Sequence, residues 1–338
     1  MKSKASRRPR NLLEAVTYFS DKQRAQDFFV ELRWPHGVAC PRMGCGSASV
    51  AYMPRYWAWY CRDCKRRFTA KVGTPLEDSP LGLDKWVPAA WMLVSDRNGM
   101  SSCELARAIG VTQKTAWFML HRIRLIQKGE SSNKFSGPVE VDETYIGGKA
   151  TSTDTNPETG KLMPTGPQEN KTIVAGIVER QGEVRACVVP NVQKTTLQPI
   201  IEKNVLPGAT VYTDFLRSYN SLGEEYQHHA INHAIEYVNG HVHTNTIENF
   251  WSCLKRTLIG TYVCASPEHM ERYLDEQIFR YNNQDEEDAE RTNIALKQVE
   301  GKRLMYKDLT ATVSVKQAAK KEKMRAAQRK RLAKNAQS

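Results

Sequence analysis

Cys40, Cys45, Cys61 and Cys64 fall within 25 residues of a chain whose other cysteines, Cys103, Cys187, Cys253 and Cys264, stand singly. The cluster reads CPRMGC, fifteen residues, then CRDC. Two such knuckles, separated by enough chain for a strand pair and not preceded by the apolar leader of a secreted protein, read as metal ligands before disulfides. Four thiolates suit tetrahedral Zn²⁺. With no open position on the metal the site is structural, its binding energy replacing a core that so short a segment cannot build. The single cysteines read as small buried hydrophobes.

Between the knuckles, YMPRYWAWY alternates with period two and predicts a strand with Trp57 and Trp59 on one face. These indoles would pack the ribbon, or stack on bases. Lys65, Arg66 and Arg67, directly after the last cysteine, are candidates for phosphate contact.

The net charge of +12 points to a polyanionic partner, since each neutralised phosphate releases counterions. Much of that charge sits at one end: residues 316–338 carry nine Lys or Arg against Glu322 alone. This basic appendage reads equally as a solvated extension or a DNA-gripping arm. No run of about 18 apolar residues exists and MKSKASRRPR is not a secretory signal, so no membrane partner and a cytoplasmic protein are expected. The length suits two or three domains.

Past the cysteines, LDKWVPAAWMLVSD and SSCELARAIG have apolar residues at helical spacing, and Gly110 breaks the second. In VTQKTAWFMLHRIRLI, Thr112 can cap a helix whose apolar face is Ala116, Met119, Leu120 and Ile123. Two short helices about a glycine turn predict a helix-turn-helix over residues 80–130, although such pairs also serve as plain structural units. Its second helix would read DNA through Gln113 and Lys114, with His121, Arg122 and Arg124 further along.

From residue 137 the periodicity becomes that of strands: GPVEVDETYIGG, KTIVAGIVER and QGEVRACVVP, the last two joined at Gly182. A helical stretch, TTLQPIIEKNV, leads to the strand ATVYTD, and a polar, His-rich loop precedes the helix HTNTIENFWSCLKRTL. This α/β order matches the ribonuclease H-like fold, a mixed five-stranded sheet with flanking helices, over residues 135–284. Asp142 lies inside an apolar strand, where a charge is costly without a cation or hydrogen bonds. Asp214 closes a later strand, at the sheet end where α/β sites open. On the late helix Ile247, Phe250, Trp251, Leu254 and Leu258 form the buried stripe, and Glu248, Ser252 and Lys255 share another face.

Converging carboxylates suit Mg²⁺ or Mn²⁺, and a pair of such ions roughly 4 Å apart can clamp both oxygens of a phosphodiester displacement. Water would be the nucleophile for cleavage and a DNA 3′-hydroxyl for joining, with Lys255 on a phosphate. Bland readings stand beside these: Asn245 and Glu248 are spaced as a capping box, Asp214 could cap the next helix, and Glu140 or Glu143 could be the ligand in place of Asp142. His228, His229, His233, His241 and His243 read as solvated or hydrogen-bonded more readily than as metal ligands, His243 being the one to test.

The segments CRDCKRRFTAKVGTPLEDSPLGLDKW, VEVDETYIGGK, KTIVAGIVER, HTNTIENFWSCLKRTLIGTY and RYLDEQIFRYNN resemble DDE transposases of bacterial insertion sequences, the subgroup with an N-terminal zinc ribbon. The resemblance spans nearly the whole chain. It implies that Asp142, Asp214 and Glu248 are the metal-binding triad and that Lys255 is the basic residue following the third acid. Some relatives carry Asn or His in the third place, and here Asn245 and Asn249 flank Glu248. The long CPRMGC knuckle departs from the commoner family form, and the basic tail is not a shared feature.

The expected organisation is residues 1–72 with the zinc ribbon, 80–130 as the helix-turn-helix, 135–284 as the catalytic domain and 285–338 as a C-terminal helical segment and basic tail. The implied protein is a bacterial, cytoplasmic transposase, nucleoid-associated when bound to DNA. It would act as a homo-oligomer that binds the terminal inverted repeats of its element and joins them to target DNA. A ribonuclease H-like nuclease without strand transfer, or a DNA-binding regulator, would share many of these features.

Overall fold

Apolar alternation along Val139–Ile146 sets the centre of the larger unit of the computed structural model, which describes residues 8–129, 133–147, 171–231, 243–263 and 265–311. In chain order the elements are α1 (Leu12–Phe19) and α2 (Lys22–Arg33), then a three-stranded sheet of β1 (Val50–Met53), β2 (Ala58–Cys61) and β3 (Arg67–Thr69). Next come α3 (Leu83–Ser95), α4 (Ser102–Ile109) and α5 (Gln113–Gln127). The strands β4 (Val139–Ile146), β5 (Thr172–Glu179) and β6 (Val184–Val189) follow, then α6 (Lys194–Asn204), β7 (Thr210–Asp214) and β8 (Gln227–Ile231). The helices α7 (Asn245–Thr257), α8 (Met270–Asn282) and α9 (Asp288–Lys297) come after them.

Residues 36–80 group with the chain after residue 298 in one unit, and the remainder forms the other. In the larger unit the sheet order is β6-β5-β4-β7-β8, antiparallel from β6 to β4 and parallel from β4 to β8. This is the expected mixed five-stranded sheet with flanking helices. One face packs Val139, Val141 and Val211 against Leu197 and Ile201 of α6, with Tyr219 and Leu222. The other packs Val174, Val178 and Val184 against Ile247, Phe250, Trp251 and Leu254 of α7 and Met270 and Leu274 of α8. The stripe read on α7 is therefore the buried one.

Three features differ from the sequence reading. β8 runs through the segment read as a His-rich loop, because an edge strand with exposed Gln227, His229 and Ala230 lacks the apolar signal of an inner one. YMPRYWAWY is not a continuous strand: Pro54–Tyr56 forms a 3₁₀ turn, so β1 ends at Met53 and Trp57 sits in the turn, apart from Trp59. Residues 12–33, read only as the stretch before the cysteines, make two capped helices that join α3, with Phe19 against Phe28 and Trp91. Residues 148–170 and the tail from 312, with His233 and His241, lie outside the described residues.

Ser101 and Glu104 form a capping box at the start of α4, and Gly110 ends that helix in the left-handed conformation, φ 68°. Thr112 caps α5, whose Ala116, Met119, Leu120 and Ile123 are all buried.

Candidate functional site

β4 and β7 run parallel with Val141 paired to Thr213, so Asp142 and Asp214, one step further on each strand, lie side by side where β7 ends against the middle of β4. Glu143 joins them: Asp142, Glu143 and Asp214 each bring an oxygen within 4.8 Å of the others. Burial, then the charge of Asp214, pushes the Asp142 carboxyl up to about 6 and that of Glu143 up to about 7. Three crowded carboxyls, two of them raised in this way, are the donor set a hard divalent cation would take, since such an ion offsets the repulsion among them.

Glu248 stands in the first turn of α7, exposed, its Oε1 accepting from Thr244 Oγ1 at 3.1 Å. It lies outside the tight group, yet its charge contributes to the rise of Asp142. Lys255 is exposed two turns further along α7, as are Asn245 and Asn249 near its start. The structure thus brings Asp142 and Asp214 together with Glu143, one of the alternatives the sequence left open, and sets Glu248 beside them.

Glu140, the other alternative, does a different job. It is fully buried and accepts hydrogen bonds from the backbone N–H of Thr246 at 2.8 Å and of Ile247 at 3.1 Å, from Thr246 Oγ1 at 3.0 Å and from Arg180 Nε at 2.8 Å. His243 Nδ1 lies 3.3 Å from it, and the Arg180 guanidinium stacks on Tyr212. The α7 N-terminus is therefore capped from β4, in place of an Asn245–Glu248 box. His228 bonds Thr213 and His229 stacks on Tyr212, so these histidines serve the sheet. Asp214 Oδ1 accepts from the N–H of Leu216, shaping the turn after β7, and Tyr219 donates to Glu143 at 2.9 Å. Sequence periodicity carries no sign of Arg180 or Tyr219, whose partners lie 40 and 76 residues away.

Trp251 Nε1 donates to Asp142 Oδ2 at 3.0 Å across Gly176, the residue paired with Asp142 on β5. A Cβ on Gly176 would meet Trp251 at 2.6 Å and Ile247 at 3.1 Å. Gly176→Ala should therefore displace the indole, release Asp142 and cost about 1–3 kcal/mol of overpacking, read as a lowered urea midpoint at unchanged m.

In the smaller unit the cysteines converge: Cys40 and Cys64 sulfurs lie 3.8 Å apart and Cys45 and Cys61 sulfurs 3.7 Å. Four metal–sulfur bonds of about 2.3 Å give tetrahedron edges of about 3.8 Å, so the four thiols fit such an ion with little adjustment. Backbone N–H bonds from Cys64 and Asp63 hold Cys61 down to about 7, while burial raises Cys40 to about 12. Chelator treatment, or Cys61→Ser, should melt this small sheet while the larger unit stays folded. Metal content together with the near-ultraviolet signal of Trp59, stacked on Phe68, would report it. Lys65, Arg66 and Arg67 are all exposed beside the knuckle.

On α5, Gln113 and Lys114 are exposed, and Gln113 donates to Ser102 Oγ at 2.7 Å. Arg122 and Arg124 are corrected as DNA contacts, because both are buried. Arg122 stacks on Phe118 and Trp86, and Arg124 forms an ion pair with Glu276 of α8 at 2.6 Å. His121 is buried as well, its ring against Trp117 and His269.

Residues 134–282 match the ISXO2-like transposase domain. A protein of Halobacterium salinarum described as an uncharacterized protein in transposable element ISH50 is 30% identical over 255 residues, covering 72% of this chain and 85% of that one. An uncharacterized transposase-like protein of Haemophilus influenzae is 44% identical over 102 residues, covering 30% of this chain and 82% of that one. Among the described residues, no helix is long and apolar enough to cross a membrane.

Proposed function

The chain belongs to the ISXO2-like transposases of insertion sequences, and from that premise we propose that it binds the ends of its element and catalyses both their cleavage and their joining to target DNA. The observation that carries the reading is the meeting of Asp142 and Glu143, midway along β4, with Asp214 at the end of the parallel strand β7, beside the helix that bears Glu248. Asp142 and Asp214, with Glu248 or Glu143 as third ligand, would hold Mg²⁺ or Mn²⁺, which supplies the charge neutralisation that phosphoryl transfer requires. Trp251 fixes Asp142, Tyr219 fixes Glu143, and Lys255 would meet a phosphate.

In this reading residues 135–284 are a ribonuclease H-like catalytic domain and 80–130 a helix-turn-helix presenting Gln113 and Lys114. Residues 1–72 include a Zn²⁺ ribbon presenting Lys65, Arg66 and Arg67, and 285–338 form a helical segment and basic tail. The partner is double-stranded DNA, both terminal repeats and target. Two ends must be held at once, so the active form is a homo-oligomer, nucleoid-associated when bound.

Mg²⁺-dependent nicking and joining of a labelled duplex carrying the element's ends tests this. Joined product lost in Asp142→Ala supports strand transfer. Nicking without joining would make the protein a nuclease, and binding without chemistry under Mg²⁺ or Mn²⁺ a regulator. Comparing Glu248→Gln with Glu143→Gln in the same assay identifies the third ligand.

A further inference from the structure

The turn between β1 and β2 carries exposed aromatic surface that the core of its unit does not use. Trp59 and Phe68, both buried, stack to fill the small sheet, and the half-exposed Tyr52 ring tilts against Trp59. Tyr56 and Trp57, at the turn, are left 52% and 38% exposed. Trp57 also holds a left-handed backbone, φ 51°, which bulky residues rarely adopt and which Gly or Asn would hold at lower cost. The guanidiniums of Arg67 and Arg55 lie 5.2 and 5.9 Å from the Tyr56 ring, both residues exposed. Residues 36–80 carry seven Lys or Arg against Asp63, Glu77 and Asp78, and Asp78 is paired with Arg303.

We propose that the Tyr56–Trp57 turn, with Arg55 and Arg67, is a stacking site for unpaired bases of a DNA strand. Rings can stack only on bases that pairing and stacking within a duplex do not hide, whereas the cations around them meet the phosphates of either form. The turn thus takes a single strand, such as a separated or cleaved end. Lys65 and Arg66, at the opposite end of β2, remain contacts to the backbone of a duplex. This inference rests on the reading of the unit as DNA-binding.

The test uses the full-length protein, with fluorescence anisotropy on a short labelled oligo-dT and on a duplex of equal length. The variants are Trp57→Asn, which suits the left-handed turn, Trp57→Phe, which keeps a ring, and Lys65→Ala with Arg66→Ala. Trp57→Asn should weaken oligo-dT binding about tenfold or more, the loss of one stacked base, and leave duplex binding within about twofold. Trp57→Phe should recover most of that loss, and metal content and melting temperature should match the wild type. Unchanged oligo-dT binding in Trp57→Asn, or an equal fall on both DNAs, would overturn the proposal. If the Lys65, Arg66 double variant also binds duplex as the wild type does, the DNA-binding reading of the unit falls with it. If that variant alone weakens duplex binding, only the stacking site is lost.

Discussion

Asp214→Asn is expected to abolish metal-dependent joining, by roughly a thousandfold or more, while making the metal-free protein more stable. Removing a carboxylate from a cation site forfeits several kcal/mol of transition-state charge stabilisation, and each ~1.4 kcal/mol is a factor of ten in rate. The stability gain follows from the same charges. Asp214 stands second, after burial, among the causes that raise both Asp142 and Glu143, so its neutral replacement relieves both neighbours. A metal-free melting temperature a few degrees higher, together with loss of the rise caused by Mg²⁺ or Mn²⁺, is the joint signature.

The pH dependence has a definite sign. In the unfolded chain these carboxyls titrate near ~4, whereas in the fold Asp142 and Glu143 are raised to about 6 and about 7. Their contribution to stability is therefore fully present below ~4 and is lost as pH rises through 6 to 7. A bound cation restores what is lost only where the acids are ionised. The metal-induced rise in melting temperature should be larger at pH 8 than at pH 5.5 in the wild type, and flat with pH in Asp214→Asn. A wild-type response to metal that is equal at both values would mean the cation sits elsewhere.

The sheet was legible in the sequence because inner strands are apolar and the acids interrupt them: Asp142 in VEVDETYI and Asp214 at the end of TVYTD stand out as charges in the wrong surroundings. The cysteines were legible because metal ligation imposes a spacing. What escaped depends on partners distant in sequence. Arg124 looked like an exposed cation on a recognition helix, yet α5 also packs on α8, and Glu276, 152 residues away, together with Tyr262 and Tyr273, encloses it. Arg122 is hidden by the aromatic rings its guanidinium covers. β8 was missed since polar residues on an edge strand look like loop, and the turn at Pro54 was masked by an alternation of aromatics that continued through it.

The same limit applies to Glu140 and Asp142, which are indistinguishable as isolated acids on one face of β4 but should respond oppositely to neutralisation. Glu140 has five hydrogen-bonding or ionic contacts and full burial, and it carries the negative charge that meets the N-terminal dipole of α7. Glu140→Ala would leave Arg180 without that carboxylate and two first-turn N–H groups of α7 unsatisfied, a loss of about 3–5 kcal/mol in urea unfolding. Glu140→Gln keeps an acceptor and should lose less than half as much. Since α7 bears Glu248 and Trp251, joining should fall with stability in both variants, yet Mg²⁺ should still raise the melting temperature of Glu140→Gln. Asp142→Asn should do the reverse, with a fold no weaker than the wild type and no response to metal. If Glu140→Gln were as deaf to Mg²⁺ as Asp142→Asn, Glu140 would be a ligand, and the cap it gives α7 would be incidental to the site.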